Sequence, residues 1–278
     1  RWKDGVVSPF DPTSKVYKCK NGKYKCKNTG KYFTYRTKTF FANSKMDFRD
    51  WLYAIIMIAN HKNAISSYQL ADDLDIPQKT AWYMLHKIRN AMRLANENFL
   101  EEAVEIDETL VGGRNGNRHW DKKVPHSQGR SHKDKAPVVG MIQRENLMNA
   151  RVTPDTKANT LSAFIREFVH PNAIIYTDEN DAYNQIGKSY ERYYVDHSKK
   201  LYSYDSITTN RIEGAWTHFK RMVKGTYRTL LKKYLQKYVD EFVYRYNLRD
   251  ISNSDRFNCF LCCADTRYTY KQIRKSAA

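Results

Sequence analysis

The sequence predicts an α/β fold with two smaller units in front of it, a basic ribbon and a helical segment. Three observations carry this reading. At 278 residues, 41% hydrophobic and 14% aromatic, the chain is long enough for more than one unit and apolar enough to bury a full core. Its texture changes twice: basic and apolar residues alternate before Ser44, helical spacing runs to Asn98, and mixed strand and helix patterns follow. Its charge is uneven, since residues 1–45 hold twelve Lys and Arg against only Asp4 and Asp11. The expected units are therefore 1–43, 44–98 and 99–278.

In the first unit, Lys15-Val-Tyr-Lys-Cys-Lys-Asn-Gly-Lys-Tyr-Lys-Cys26 alternates around Asn21-Gly22, a strong hairpin signal. Such a ribbon would offer Lys18, Lys20, Lys23 and Lys25 to a polyanion, although a merely solvated lysine face fits the same pattern. From Ser44 the spacing is helical. Ser44 followed by Asp47 predicts a capping box, and Phe48, Trp51, Leu52, Ile55, Ile56 and Ala59 recur on one face. Ser66 with Gln69 starts a second helix, Asp75-Ile76-Pro77 breaks it, and Thr80 to Leu94 forms a third with Ala81, Met84, Leu85, Ile88 and Met92 inward. Short helix, tight turn and longer helix is the layout of a helix-turn-helix, with Gln78, Lys79, Thr80 and Tyr83 on the groove-facing turns. An ordinary helical bundle has the same periodicity.

Past Asn98, Ala103 to Val111 reads as a strand ending at Gly112-Gly113. Residues 114–135 form a long loop with seven basic and two acidic residues, including Arg118, Lys122 and Lys123. Val138 to Gln143 and Leu147 to Val152 read as a hairpin turning at Glu145-Asn146, and Thr156 to Val169 as an amphipathic helix. Ala173 to Thr177 is a short buried strand, Tyr193 to Val195 a further one, and two helices follow over about 210–224 and 230–246. Strand, hairpin, helix, strand, strand, helix is the order of a ribonuclease-H-like layer.

Composition bounds the function. A formal net charge of +18 and a pI near 9.6 point to a polyanionic partner, nucleic acid first. The longest uncharged apolar stretch, Trp51 to Ala59, is half of a membrane span, so no membrane association through a spanning helix is expected. Five cysteines, odd in number and unevenly spread, argue for a reducing compartment. The opening Arg-Trp-Lys-Asp has no apolar stretch behind it, so a secretory signal is not visible and a cytoplasmic location is expected.

Three acidic residues stand out by context. Asp107 lies mid-strand, where Asp is depleted because its side chain competes with the backbone ladder. Asp178 follows an apolar strand at its carboxyl end, where open α/β sheets place their sites. Glu213 lies on a helix whose apolar stripe is Ile212, Trp216, Phe219 and Val223. At about 100° per residue, Glu213, Thr217 and Lys220 share the neighbouring stripe. Phosphodiester cleavage needs a deprotonated nucleophile and neutralised phosphoryl oxygens, which two Mg²⁺ ions about 4 Å apart supply from carboxylate ligands. Taken singly, each of the three also fits a structural salt bridge or a turn cap.

These residues lie in longer runs that resemble the insertion-sequence transposases of family fifteen-ninety-five, whose core is the ISXO2-like transposase domain. The runs are Lys79-Thr-Ala-Trp-Tyr-Met-Leu-His-Lys-Ile-Arg89, Val104-Glu-Ile-Asp-Glu-Thr-Leu-Val-Gly-Gly113, Tyr176-Thr-Asp-Glu-Asn180, Val195-Asp-His197, Thr209-Asn-Arg-Ile-Glu-Gly-Ala-Trp-Thr-His-Phe-Lys220 and Asp240-Glu-Phe-Val-Tyr-Arg-Tyr-Asn247. The resemblance implies a ribonuclease-H-like fold, Mg²⁺- or Mn²⁺-dependent strand cleavage at transposon ends, and strand transfer into target DNA by a homo-oligomer in the bacterial cytoplasm and nucleoid. It implies Asp107, Asp178 and Glu213 as the carboxylates, with Asn210 a competitor for the third place, and Lys220 as a phosphate-holding base, followed by Arg221 and Lys224. His197 would approach the phosphate or a carboxylate, or serve as a structural histidine. The alternatives are a structure-selective endonuclease or resolvase, and a DNA-binding regulator with an inactive core.

The resemblance departs at the N-terminus. A zinc ribbon would place its ligands at Ser8, Asp11, Cys26 and Thr29, where one cysteine remains, so zinc is not expected there. Cys259, Cys262 and Cys263 lie in an amphipathic stretch with Phe257, Phe260 and Leu261 and are expected as buried core thiols. His119, His126 and His132, in the basic loop, fit DNA contact better than a compact ligand set.

Overall fold

The computed structural model describes residues 2, 4–96, 98–112, 116, 119–125, 135–144, 147–195, 208–265, 269 and 272–273. At the N-terminus β1 (Val16–Lys18), β2 (Tyr24–Cys26) and β3 (Tyr32–Phe33) form an antiparallel sheet in that order. The bend between β1 and β2 is wider than a two-residue turn. Cys19 N–H donates to the Lys23 carbonyl, Gly22 N–H to the Cys19 carbonyl, and Gly22 takes φ +73°, which glycine adopts without strain. Lys18, Lys20 and Lys23 are exposed and Lys25 is half-buried. Cys26 is buried among the hydroxyls of Ser8, Ser14 and Thr29. Ser8 Oγ also accepts from the N–H groups of Phe10 and Asp11, so hydrogen bonds close this end of the sheet.

Three helices follow, α1 (Phe48–Asn60), α2 (Ser67–Leu74) and α3 (Gln78–Met92). The expected cap at Ser44 is displaced. Asp47 caps α1 by accepting from Arg49 N–H at 2.8 Å, while Ser44 Oγ accepts from Trp51 Nε1 at 2.8 Å. The buried indole claims the hydroxyl that the local pattern assigned to the helix end. Ser66 caps α2, and Asp75 ends it in the left-handed region at φ 49°.

Beyond them lies a mixed five-stranded sheet in the order β6-β5-β4-β7-β8, built from β4 (Ala103–Val111), β5 (Ala136–Gln143), β6 (Met148–Val152), β7 (Ile174–Asp178) and β8 (Glu191–Val195). β4, β5 and β6 are antiparallel; β7 and β8 run parallel to β4. Alternation gives the sheet two apolar faces. Val104, Ile106, Val139 and Met141 pack on Leu161, Phe164 and Ile165 of α4 (Ala158–Phe168). Val138, Ile142 and Met148 pack on Ile212, Trp216 and Phe219 of α5 (Asn210–Met222) and on Val239 and Phe242 of α6 (Leu235–Asn247). A helix layer thus covers each face, and the fold is mixed α/β.

Helix α7 (Asn253–Cys262) and α6 also reach the N-terminal helices. Tyr244 and Phe260 enter the core formed by Phe40, Trp51, Ile55, Leu70, Met84 and Ile88. The expectation of buried thiols in this stretch does not hold: Phe260 fills the inward position, Cys262 is exposed, and Cys259 and, just past the helix, Cys263 are half-buried. No described helix is long and apolar enough to cross a membrane.

Candidate metal centre

β4 and β7 place two carboxylates side by side. Their parallel register pairs Glu105 with Tyr176, and two residues further along this puts Asp107 beside Asp178. Asp107, Glu108 and Asp178 each offer a carboxylate oxygen within 4.8 Å of the other two, and all three residues are half-buried. Asn180 N–H donates to Asp178 Oδ1 at 3.1 Å, which holds the carboxylate at the end of its strand.

The electrostatics are those of crowded anions. Burial pushes the Asp107 carboxyl up, the charges of Asp178 and Glu213 add to it, and Lys220 opposes, leaving it at about 6. Burial, then Asp178 and Asp107, push Glu108 to about 7. Tyr183 lies fully buried beneath, its hydroxyl raised well above the ordinary phenol value by burial and by Glu108, Asp107 and Asp178. An all-oxygen donor set with mutual repulsion fits a hard divalent cation, because bound positive charge relieves what burial and crowding impose.

α5 brings the next residues. Its N-terminus is held by a carboxylate of β4: fully buried Glu105 accepts at Oε2 from Arg211 N–H at 3.0 Å and Ile212 N–H at 3.2 Å. Two N–H groups that a helix leaves orphaned are thereby satisfied by an anion at the positive end of the helix dipole. The middle of α5 lies against Gly140 of β5, the register partner of Asp107. A Cβ there would meet the Trp216 ring at 2.5 Å.

So anchored, α5 carries Glu213 and Lys220 on an exposed flank whose charges act on Asp107. Thr209 Oγ1 donates to Glu213 Oε1 at 3.2 Å. Glu213 stands outside the 4.8 Å group, and Asn210 is exposed at the first residue of the helix. Arg221, Lys224, Lys122 and Lys123 are exposed. Lys79 is exposed, Thr80 and Tyr83 are half-buried, and Gln78 Nε2 donates to Ser67 Oγ at 2.7 Å. His197, Arg118, His126 and His132 lie outside the described residues.

Glu105, Glu108 and Tyr183 were not singled out by the sequence reading. Glu108 points to the opposite strand face from Asp107, so a period-of-two reading separates two residues that converge at the edge of the cluster. Glu105 shares the parity of Asp107, and a second carboxylate on the covered face of one strand was the available signal.

Residues 99–247 match the family of the ISXO2-like transposase domain. A curated Haemophilus influenzae protein described as an uncharacterized transposase-like protein is 28% identical over 103 residues, 37% of this chain and 82% of that protein. Among solved structures, the Mos1 strand transfer complex is loosely similar, with a TM-score of 0.32 and 12% identity over 82% of this chain and 81% of that chain. The Mos1 mariner paired end complex with Mg gives a TM-score of 0.30 and 14% identity over 82% of each chain.

Proposed function

From a chain that belongs to the ISXO2-like transposase family, we propose a DNA transposase that cuts at transposon ends and transfers the cut strand into target DNA. Residues 99–278 would be a ribonuclease-H-like catalytic domain. Residues 44–98 would be a helix-turn-helix that reads the ends through Lys79, Thr80 and Tyr83, and 1–43 a basic ribbon. The observation that carries the reading is the pairing of Asp107 with Asp178 on adjacent parallel strands, in a protein of net charge +18.

Bound Mg²⁺ or Mn²⁺, in a pair, would activate the attacking oxygen and neutralise the charge on the phosphoryl oxygens. Asp107 and Asp178 would be the central ligands, with Glu213 or Glu108 completing the set. Lys220, whose charge reaches Asp107, is suited to hold the scissile phosphate. The buried Tyr183 hydroxyl beneath Glu108 fixes the floor of the site. Joining two ends calls for at least two copies on DNA.

A supercoiled plasmid carrying the flanking inverted repeats tests the proposal. Nicking that requires Mg²⁺ and disappears in Asp107→Asn is expected, with end-joined products when target DNA is added. Nicking indifferent to the repeats would make the chain a general nuclease, and none at all would make it a binding protein.

A further inference from the structure

A concave surface lies on the other flank of α5. It is a cleft of about 840 Å³ where the end of α1, α5, the end of α6 and α7 meet. Its lining includes Lys62, Arg211, Arg221, Arg245, Arg249 and Arg256, and, among the described residues, no Asp or Glu. Pockets of this size that take small ligands are mostly apolar. Here the cations come from four separate stretches of chain, so their convergence is a product of the fold.

Among the described residues their charge is largely uncompensated. Arg245 Nη1 lies 3.5 Å from Glu241 and Arg249 Nε 3.6 Å from Asp250. Lys62, Arg211, Arg221 and Arg256 make no ion pair among the described residues. Three of the guanidiniums are also held by neutral acceptors. Arg256 donates to the carbonyls of Leu248 and Arg249, each at 2.7 Å, Arg249 to that of Tyr246 at 2.7 Å, and Arg245 to those of His61 and Lys62. Carbonyls orient a guanidinium without cancelling its charge, and each retains further donors for an external anion.

We propose that this cleft binds the phosphate backbone of DNA, on a segment distinct from the one at the carboxylates. The choice of DNA over another polyanion rests on the transposase reading; the cleft and its charge do not. Asn210 and Arg211, at the start of α5, line the cleft, while Glu213 and Lys220 of the same helix face the acidic centre. DNA in the cleft is therefore adjacent to the reacting strand and held without metal.

The test is metal-free binding of the full chain to duplex DNA at several salt concentrations. Wild type is compared with Lys62→Glu/Arg249→Glu and with Lys62→Gln/Arg249→Gln, each checked by thermal melting. Two lost phosphate contacts should lower the slope of log affinity against log salt by about 1.8 and weaken binding more than tenfold near 0.1 M salt. Either pair melting like wild type and binding with unchanged affinity and slope overturns the proposal. So does polyglutamate that competes as well as DNA and loses its effect in the variants, since the partner would then be an acidic protein. An absence of Mg²⁺-dependent nicking in the wild type would instead sink the catalytic reading and leave this binding result standing.

Discussion

Asp107 and Glu108 hold their protons to about pH 6 and about pH 7, well above the ordinary carboxylate range near 4. Raised values in the folded state mean that the native protein binds more protons than the unfolded chain across that window. Metal-free stability is therefore greatest below about pH 4 as far as these groups contribute, and their contribution is lost as pH rises through 6 to 7. A cation that replaces the protons reverses the trend. The thermal shift on adding Mg²⁺ or Mn²⁺ should be small at pH 5 and large at pH 8; equal shifts at both would remove the metal from this cluster. Asp107→Asn keeps the shape and deletes one of the repelling charges. It should lower nicking at least a hundredfold, about 2.7 kcal/mol in barrier, while the metal-free protein melts higher at pH 8 than wild type. Glu213→Gln should also be inactive and Asn210→Ala should retain measurable nicking. The opposite ranking would give Asn210 the third place.

The placement of α5 decides whether those residues meet. Glu105 holds its first turn and Gly140 receives Trp216, so two contacts from β4 and β5 fix its height and tilt on the sheet. Gly140→Ala puts a methyl 2.5 Å and 2.8 Å from two Trp216 ring atoms and 3.0 Å from Ile212. It should cost about 1–3 kcal/mol of stability and depress nicking beyond what the lost stability explains. Glu105→Ala should strand the N–H groups of Arg211 and Ile212, the second of them buried, at about 1–3 kcal/mol, and Glu105→Gln, which still accepts, should recover most of it. Denaturant midpoints and nicking rates at saturating Mg²⁺ separate the two effects; Gly140→Ala matching wild type in both would show that α5 is placed otherwise. Such elements divide what the sequence made legible from what it did not. β4 has its expected bounds because alternation and flanking glycines are local signals, and Asp107 was visible as an acid where strands avoid one. Asp178 was found at a strand end, one residue inside the strand instead of after it. Local pattern misplaced the cap of α1, because the competitor for Ser44 is an indole seven residues away. That Glu105 and Gly140 anchor α5 was silent because their partners on that helix lie up to 107 residues away, and no periodicity encodes a contact of that range.

Across the whole molecule, the N-terminal helices and the sheet are joined through α6. Arg89 of α3 is fully buried and donates to Glu241 of α6 at 2.7 Å, and its Nη2 to the Tyr227 hydroxyl at 3.0 Å. That hydroxyl also lies 2.8 Å and 2.9 Å from the two Glu241 oxygens, and the guanidinium stacks over the rings of Tyr227 and Tyr238. Tyr244, three residues on from Glu241, completes the apolar core of the N-terminal helices. A buried ion pair of this kind contributes little relative to well-packed apolar residues, but removing one partner leaves the other charged in a dry site. Arg89→Ala should therefore cost about 3–5 kcal/mol. Because α3 and α6 share the pair, the loss should be felt on both sides of the joint, with the N-terminal helices and the sheet still melting in one transition. In a cycle of Arg89→Met, Glu241→Gln and the double variant, the double should lose markedly less than the two singles together, since each single already removes the same bond. Additive losses, or a first transition confined to the N-terminal helices in the wild type, would mean that the two parts are merely adjacent and that DNA bound by one is not held in register with the carboxylates of the other.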